Sequence, residues 1–388
     1  MPLPDYAEPL LTILAPKYGA GVKRKYIEEL RAPPCVADVL PMIDAKNKDY
    51  LKELKDEKGD LKRRVDRAME WLSHPNHHFI PWYSPLFPAM LKRGDSFQAG
   101  LFVDGNPLAL WFQQIAVIGS RNPSWQGKDN TDFFVEGLVK SGLAITSGLA
   151  AGIDSRAHEA ALRFGGVPIG VLGNGPDVIY PASNRRLQTE VAEAGAVVTE
   201  FFPGDRPDRY HFPLRNRIIA GLSVATMLIE GREGSGATGT AKHALDNGKE
   251  VFAVPGSIHN PLYRGNHRLI KDGAILAQSI PEVLQEIEVM RERCNLDFEE
   301  VPEELKAALA EQFWIDPIEN PFDDPDYNTL WQSFDDDPTD MGSLVERTGL
   351  TFAKVSVILV ELESEGKVIS LDGRYHKVRK RRALSGAG

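Results

Sequence analysis

The sequence predicts an α/β protein built on a doubly wound parallel sheet, with a helical N-terminal domain before it and a winged helix-turn-helix domain after it. Three observations predict this. Short continuous apolar runs recur between residues 115 and 254, separated by stretches of helical length, the alternation that produces a sheet buried on both faces. Glycine-rich turns follow those runs, where the ligand crevice of such sheets lies. From Thr339 onward the order is helix, tight turn, helix, hairpin, the order of a winged helix. At about 150 residues per domain, 388 residues are enough for two or three domains.

Residues 1–73 predict short helices, broken at Pro33-Pro34. The last, from about Lys48 to Leu72, carries a partial apolar stripe of Leu51, Leu54, Leu61, Val65, Ala68, Met69 and Leu72. Residues 74–111, rich in proline and aromatics, predict extended and turn structure leading into the core. Strands are expected at 115–119, 143–146, 168–172, 196–199, 224–229 and 251–254. Helices are expected at 129–141, 155–164, 185–194 and 241–248. Residues 286–338 lose this rhythm and predict an acidic linker, although Trp314 and Trp331 suggest that parts of it pack. In the last domain, 339–388, Thr351 is placed to cap a helix over 352–365, and Asp372-Gly373 signals the hairpin.

Composition bounds the function. The chain is 42% hydrophobic and 26% charged, enough for a core. Apolar runs are too short for a membrane helix and there is no basic-apolar leader, so a cytoplasmic protein is expected. Two cysteines, Cys35 and Cys294, cannot make a disulfide framework, and the nine histidines form no metal-ligand spacing. The net charge of −10 argues against a nucleic-acid partner only until it is located. Residues 286–340 hold 18 acidic and 3 basic groups, and the rest of the chain sums to +5. The acidity belongs to the linker, as a spacer or as a strand-mimicking guard over the crevice.

The turns carry the chemistry. Gly119-Ser120-Arg121-Asn122-Pro123-Ser124 lacks the G-x-G-x-x-G pattern, and no acid ends the second strand, which argues against NAD or FAD. Arg121 instead suits a phosphate oxygen, with a surface ion pair as the plainer alternative. Gly148 lies in a loop opening the helix of Arg156 and His158, where Asp154 is expected to cap. Gly173-Asn174-Gly175 is a weak signal. Arg209-Tyr210-His211-Phe212-Pro213-Leu214-Arg215-Asn216-Arg217 is the most informative stretch. Guanidinium groups interleaved with rings suit single-stranded nucleic acid; the plainer alternative is a solvated arginine face with Phe212 in the core. Ser235, Gly236 and Thr240 belong to a glycine-rich turn that opens a helix, an anion-binding geometry, although its threonines could equally be simple caps. It lacks the G-K-[ST] of a P-loop. No G-x-S-x-G nucleophile turn occurs.

Taken in order, the motifs GSRNPS (119–124), SGLAAGID (147–154), GNGPDVIYPASN (173–184), FPLRNRIIAGLS (212–223) and VFAVPGS (251–257) resemble the DprA (Smf) family of bacterial DNA-processing proteins. The resemblance covers residues 78–285 closely and the winged-helix tail more loosely. It implies a Rossmann-like domain that binds single-stranded DNA as a homodimer and loads RecA during natural transformation, without catalysis and without a cofactor. It places the phosphate-gripping arginine at Arg121, the basic and aromatic pocket at Arg209, Phe212, Arg215 and Arg217, and the helix start at Ser235-Gly236. The expected DNA-contact set is therefore Gly119, Ser120, Arg121, Gly148, Arg209, Phe212, Arg215, Asn216, Arg217, Ser235, Gly236 and Thr240. Departures from the family pattern are Ala151, the turn Ala237-Thr238-Gly239, and residues 1–73, where Tyr18–Lys23 is a faint helix-hairpin-helix turn.

Two other functions compete. A nucleotide phosphoribohydrolase of the lysine-decarboxylase-like (LOG) group shares a similar sheet and a glycine-rich loop. It needs a catalytic glutamate where Lys242-His243-Ala244-Leu245 stands. A winged-helix transcription factor would present basic or amide groups on its recognition helix, but residues 352–365 offer Lys354 against Glu361, Glu363 and Glu365. Protein contact is the better expectation for this domain. Residues 339–388 alone should show no tight, site-specific duplex binding in a gel shift; such binding would make the domain a sequence reader.

Overall fold

The computed structural model describes residues 59–92, 98–293, 325–334, 339–364, 367–371 and 374–377. The helices and turn expected within residues 1–58, both cysteines, most of the acidic linker, the Asp372-Gly373 turn and the basic tail lie outside the described residues. The chain divides into two compact units, a sheet domain and a C-terminal domain.

The sheet domain runs α1 (Asp60–Leu72), β1 (His77–Pro81), α2 (Ala89–Lys92), β2 (Gly100–Gly105), β3 (Gln114–Gly119), α3 (Trp125–Lys140), β4 (Ala144–Ser147) and α4 (Ile153–Arg163). It continues β5 (Pro168–Val171), α5 (Arg185–Ala194), β6 (Ala196–Thr199), α6 (His211–Leu222), β7 (Ala225–Glu230) and α7 (Gly236–Asp246). It closes with β8 (Glu250–Ala253), α8 (Arg264–Lys271), β9 (Ile275–Leu276) and α9 (Ile280–Arg293). The strand order is β1-β2-β6-β5-β4-β3-β7-β8-β9. Strands β3 to β9 pair in parallel.

The sequence predicts a parallel sheet, and the observed sheet is mostly parallel with two antiparallel strands at one edge. β2 pairs antiparallel with β6, and β1 with β2. The proline- and aromatic-rich lead-in thus extends the sheet, its two strands masked in sequence by the prolines around them. β9 has two residues, too few to show a period. Winding runs from β3 outward to β6, then returns to the other side of β3 for β7. The carboxyl ends of β3 and β7 therefore flank the topological switch point, where a crevice opens.

Both sheet faces are buried, which is why the strands are continuous apolar runs. Alternation sends Ala116 and Ile118 to one face with Ile218, Ile219 and Leu222 of α6 and Ala241 and Ala244 of α7. It sends Ile115 and Val117 to the other, against Phe134 and Leu138 of α3, Ile153 and Ala157 of α4, and Val283 and Ile287 of α9. Helix α1 buries Leu61, Val65, Ala68 and Leu72, the later part of the expected stripe, while Met69 is half-buried. Its arginines dock it: Arg64 donates to both Asp205 oxygens at 3.1 and 2.9 Å, and Arg67 to Asp177 at 3.0 and 2.6 Å.

The C-terminal domain holds α10 (Pro325–Ser333), β10 (Thr339–Asp340), α11 (Met341–Thr348), α12 (Phe352–Ser364), β11 (Val368–Leu371) and β12 (Arg374–Lys377), in the sheet order β10-β12-β11. Asp340 caps α11 by accepting the Ser343 amide at 3.0 Å, and Gly349 ends it in the left-handed region at φ 67°. Thr351 caps α12 as expected, accepting the Lys354 amide at 3.4 Å. The linker expectation needs one correction. Leu330 on α10 and Phe334 join Leu344, Val355, Leu359 and Leu362 in this core, so 325–334 is part of the domain. The aspartates around this helix hid its apolar side.

One buried amide closes the crevice side of the sheet. Asn266 of α8, fully buried, donates to the carbonyls of Leu228, Ile229 and Val254 at 2.9–3.0 Å and accepts the Gly231 amide at 2.9 Å. It ties together backbone groups at the carboxyl ends of β7 and β8. Asn266→Ala should lower unfolding free energy by about 3 kcal/mol, the cost of stranding several buried polar groups, read from the urea midpoint; a loss under about 0.5 kcal/mol would contradict this.

Candidate nucleic-acid interface

The crevice is built from the loops after β3, β4, β5 and β7. The Ser120 amide donates to the Glu230 carbonyl at 2.7 Å, stitching the ends of β3 and β7 together. The Ile153 amide donates to the Ser120 carbonyl at 3.0 Å, which brings in α4. Gly119 is required here, since a Cβ would lie 2.6 Å from the Ile153 side chain. The Glu230 carboxylate is fully buried and accepts the Ser124 amide at 3.0 Å and its hydroxyl. Sequence reading missed Glu230; its signal was a lone acid ending an apolar strand at the switch point.

The loop between β4 and α4 is held in a conformation that few residues adopt. Leu149 has φ 51°, and Gly152 has φ 91°. Arg215 of α6 supplies the restraint. Its guanidinium, 5% exposed, donates to the carbonyls of Gly148 and Val171, each at 2.5 Å, bridging the ends of β4 and β5. Gly148 is glycine because a Cβ would meet that guanidinium at 2.3 Å. Burial lowers the Arg215 pKa to about 10, against the favourable field of Asp154, so the group stays charged at neutral pH. Asp154 is not the expected helix cap, since Gly152 occupies that position. Its buried carboxylate braces the loop instead, accepting backbone hydrogen bonds from Ala150 and Gly148 beside Arg215, and burial pushes its pKa up. Asn184 donates to the Leu149 carbonyl and the Ser155 hydroxyl, each at 2.8 Å.

Groups facing solvent gather at the mouth. The exposed Arg121 guanidinium stacks over the Phe212 ring, 5.3 Å from its centroid. Phe212 is half-buried, with Tyr180 at 5.7 Å on another side. Gly173 gives it room, since a Cβ there would lie 3.0 Å from the ring. Arg209 is exposed, lies over the Tyr210 ring at 4.6 Å and donates to the Tyr210 hydroxyl at 2.6 Å. Ser235 caps α7, accepting the Thr238 amide at 3.4 Å. Gly236 is exposed, with open space where a Cβ would stand.

The expected contact residues thus divide. Arg121, Arg209, Phe212, Ser235 and Gly236 reach the surface of the crevice, with Gly119 and Ser120 half-buried at its base. Gly148, Arg215, Asn216, Arg217 and Thr240 are buried. Asn216 donates to the Gly236 carbonyl at 3.2 Å and accepts from Arg215 at 3.2 Å; Arg217 pairs with Glu200; Thr240 donates to the Gly236 carbonyl at 3.4 Å. The solvated arginine face of the alternative reading is absent from α6. The helix turns Arg215 and Arg217 inward, where carbonyls and a carboxylate take their protons, and leaves the aromatic at the rim. Among the described residues no cluster of three potential metal ligands occurs, and no helix is long and apolar enough to cross a membrane.

Comparison with known proteins agrees with this architecture. A family model described as DNA recombination-mediator protein A matches residues 78–288, and a DprA winged helix domain model matches residues 317–374. Protein Smf of Escherichia coli is 39% identical over 328 residues, covering 82% of each chain. The DNA processing protein DprA of Streptococcus pneumoniae is 46% identical over 188 residues, 48% of this chain and 66% of that one. The crystal structure of the Streptococcus pneumoniae protein superposes with a TM-score of 0.63 at 34% identity, over 74% of this chain and 99% of that one. A DNA processing protein A from Helicobacter pylori, described for its single-stranded DNA binding mode, gives a TM-score of 0.50 at 25% identity, over 57% and 98%.

One buried group makes the fold beneath this crevice pH-sensitive. His158 of α4 is fully buried, and burial lowers its pKa to about 3, with the Arg215 charge adding to the effect and the Ser147 backbone opposing it. The unfolded chain binds that proton near pH 6.5. Its contribution is therefore complete above about pH 6.5 and is lost as pH falls from there toward 3. Urea titrations from pH 6.5 to 4 should show stability falling less steeply in His158→Gln, by up to about 1.4 kcal/mol per pH unit; the same slope in both proteins would contradict it.

Proposed function

Because the chain belongs to the DNA recombination-mediator protein A (DprA/Smf) family, we propose that it is a single-stranded DNA-binding recombination mediator. In this reading it holds incoming DNA in the cytoplasm as a homodimer and loads RecA onto it during natural transformation. The observation that carries the DNA-binding part is the Arg121–Phe212 pair. A charged fork and an aromatic face stand together at the mouth of the switch-point crevice, one suited to a phosphate and the other to a base.

The strand follows the carboxyl edge of the sheet. Arg121 and Arg209 take phosphates, and Phe212 stacks on a base. The start of α7 offers backbone N–H groups, with Gly236 allowing close approach of the sugar-phosphate chain. Arg215, Asn216 and Arg217 act one layer down. They hold the β4–α4 loop, the start of α7 and the chain after β6 in register with the strand. This arrangement needs no bond to be broken in the ligand, so the protein acts by binding and presentation. RecA assembles on DNA that the crevice releases or displays.

A gel shift of the full chain across a salt series tests this. Affinity for oligothymidine should exceed that for duplex and fall steeply with salt as counterions are released. Arg121→Ala and Phe212→Ala should each weaken single-strand binding about tenfold or more, within the range of one stacked base. The full chain should also speed RecA assembly on the same oligonucleotide. Equal affinity for single and double strands, or unchanged affinity in both variants, would overturn the reading.

A further inference from the structure

Trp125 opens α3 with 78% of its surface exposed. An indole is a large apolar group, and water is a poor environment for it. The side of α3 that it occupies is defined by the helix itself. Gly127, Thr131, Phe134, Val135 and Leu138 are buried and set the inward direction. Trp125, Lys128 and Asp132 follow one another at i, i+3 and i+7, a single stripe up one flank. Asp132 fixes where that stripe points, because it accepts both prongs of the Arg156 fork from α4, one at 2.6 Å.

Between that flank and α4 lies a cleft of about 470 Å³, whose walls include Arg121, Lys128, Gly152 and Ser155. Arg156 and Glu159 also face it, but Arg156 is already bound to Asp132. Arg121 and Lys128 are its exposed cations. Arg121 therefore has two neighbourhoods, the Phe212 ring and this cleft. A strand gripped at Arg121 has ahead of it a cleft with a second exposed cation, Lys128, and an exposed indole one turn before that lysine on the same flank of α3.

We propose that Trp125 and Lys128 form a second nucleobase-stacking subsite for single-stranded nucleic acid, continuing the strand beyond Arg121 onto the α3 flank. The proposal rests on the single-strand reading above. Lys128 takes a phosphate within the cleft, and the indole receives a base outside it. Stacking on an indole tolerates any base, as a non-specific binder requires. A strand long enough to reach both Phe212 and Trp125 is held more tightly than one that reaches only the first.

The experiment is a fluorescence-anisotropy titration of labelled oligothymidine with the full chain, comparing wild type, Trp125→Ala, Trp125→Tyr, Lys128→Ala and Phe212→Ala at several salt concentrations. Trp125→Ala should bind about tenfold more weakly with an unchanged salt slope, and Trp125→Tyr should recover most of the affinity. Lys128→Ala should reduce the salt slope by about 0.7, one phosphate contact on a single strand. Thermal midpoints should match wild type, because both side chains are exposed. Wild-type affinity in Trp125→Ala alongside weakened Phe212→Ala would reject this subsite, assign the indole to a non-nucleic-acid partner and leave the single-strand reading standing. An equal loss in Trp125→Tyr would reject stacking. No single-strand binding by wild type would reject both.

Discussion

The crevice depends on one buried cation. Arg215 sits among the ends of β4 and β5 with its charge intact, donating to the carbonyls of Gly148, just past β4, and Val171, the last residue of β5. A buried charge left without partners would be costly. Two carbonyls and the neighbouring Asp154 compensate for the lost water. The arrangement dictates its surroundings: glycine at 148, a carboxylate at 154, and an α6 that enters the sheet with its polar groups facing the crevice floor. The loop that this cation holds includes Leu149 at positive φ, a conformation that persists only where the surroundings enforce it.

From that restraint follows the division of labour on α6. A helix that sends Arg215, Asn216 and Arg217 inward has its first turn left to present Phe212, and the ring meets Arg121 arriving from the end of β3. The strand end of β3 is itself tied to β7 by the Ser120 amide and to α4 through the Ser120 carbonyl. The surface pair is thus the outermost layer of a polar network that begins in the core. On the proposed single-strand reading, a rigid floor beneath few exposed contacts suits the grip of a flexible strand of any sequence, where affinity would come from phosphates and stacking rather than from a closed pocket.

Much of this was legible in the sequence. The six longer parallel strands and the winged helix could be located because buried strands are continuous apolar runs and caps such as Thr351 have local signatures. The antiparallel β1 and β2 were not legible as strands of this sheet, since pairing with β6 is a long-range event and prolines dominate the local pattern. The helix at 325–333 was obscured by the aspartates around it, which made a core element look like linker. At the site, the sequence located the cluster around Arg209–Arg217 but could not say which arginines face inward. That depends on the angle at which α6 meets the sheet, which no spacing rule encodes. Glu230 and Asn266 escaped notice for a similar reason: a single polar residue at a strand or helix end becomes meaningful only when its partners, over a hundred residues away for Glu230 and Ser124, are in place.

Arg215 is the cation that holds the crevice in shape, buried away from any phosphate at the surface. Amide hydrogen exchange across residues 147–154 in wild type and Arg215→Lys tests this most directly, since a lysine has one nitrogen and cannot hold both carbonyls and the Asn216 side-chain oxygen in the planar geometry of the guanidinium. Exchange in that loop should rise well above wild type without DNA present, while β3 and β7 keep their protection. Unchanged exchange in the loop, together with weakened single-strand binding, would show instead that Arg215 contacts the strand itself and that the loop holds its shape without it.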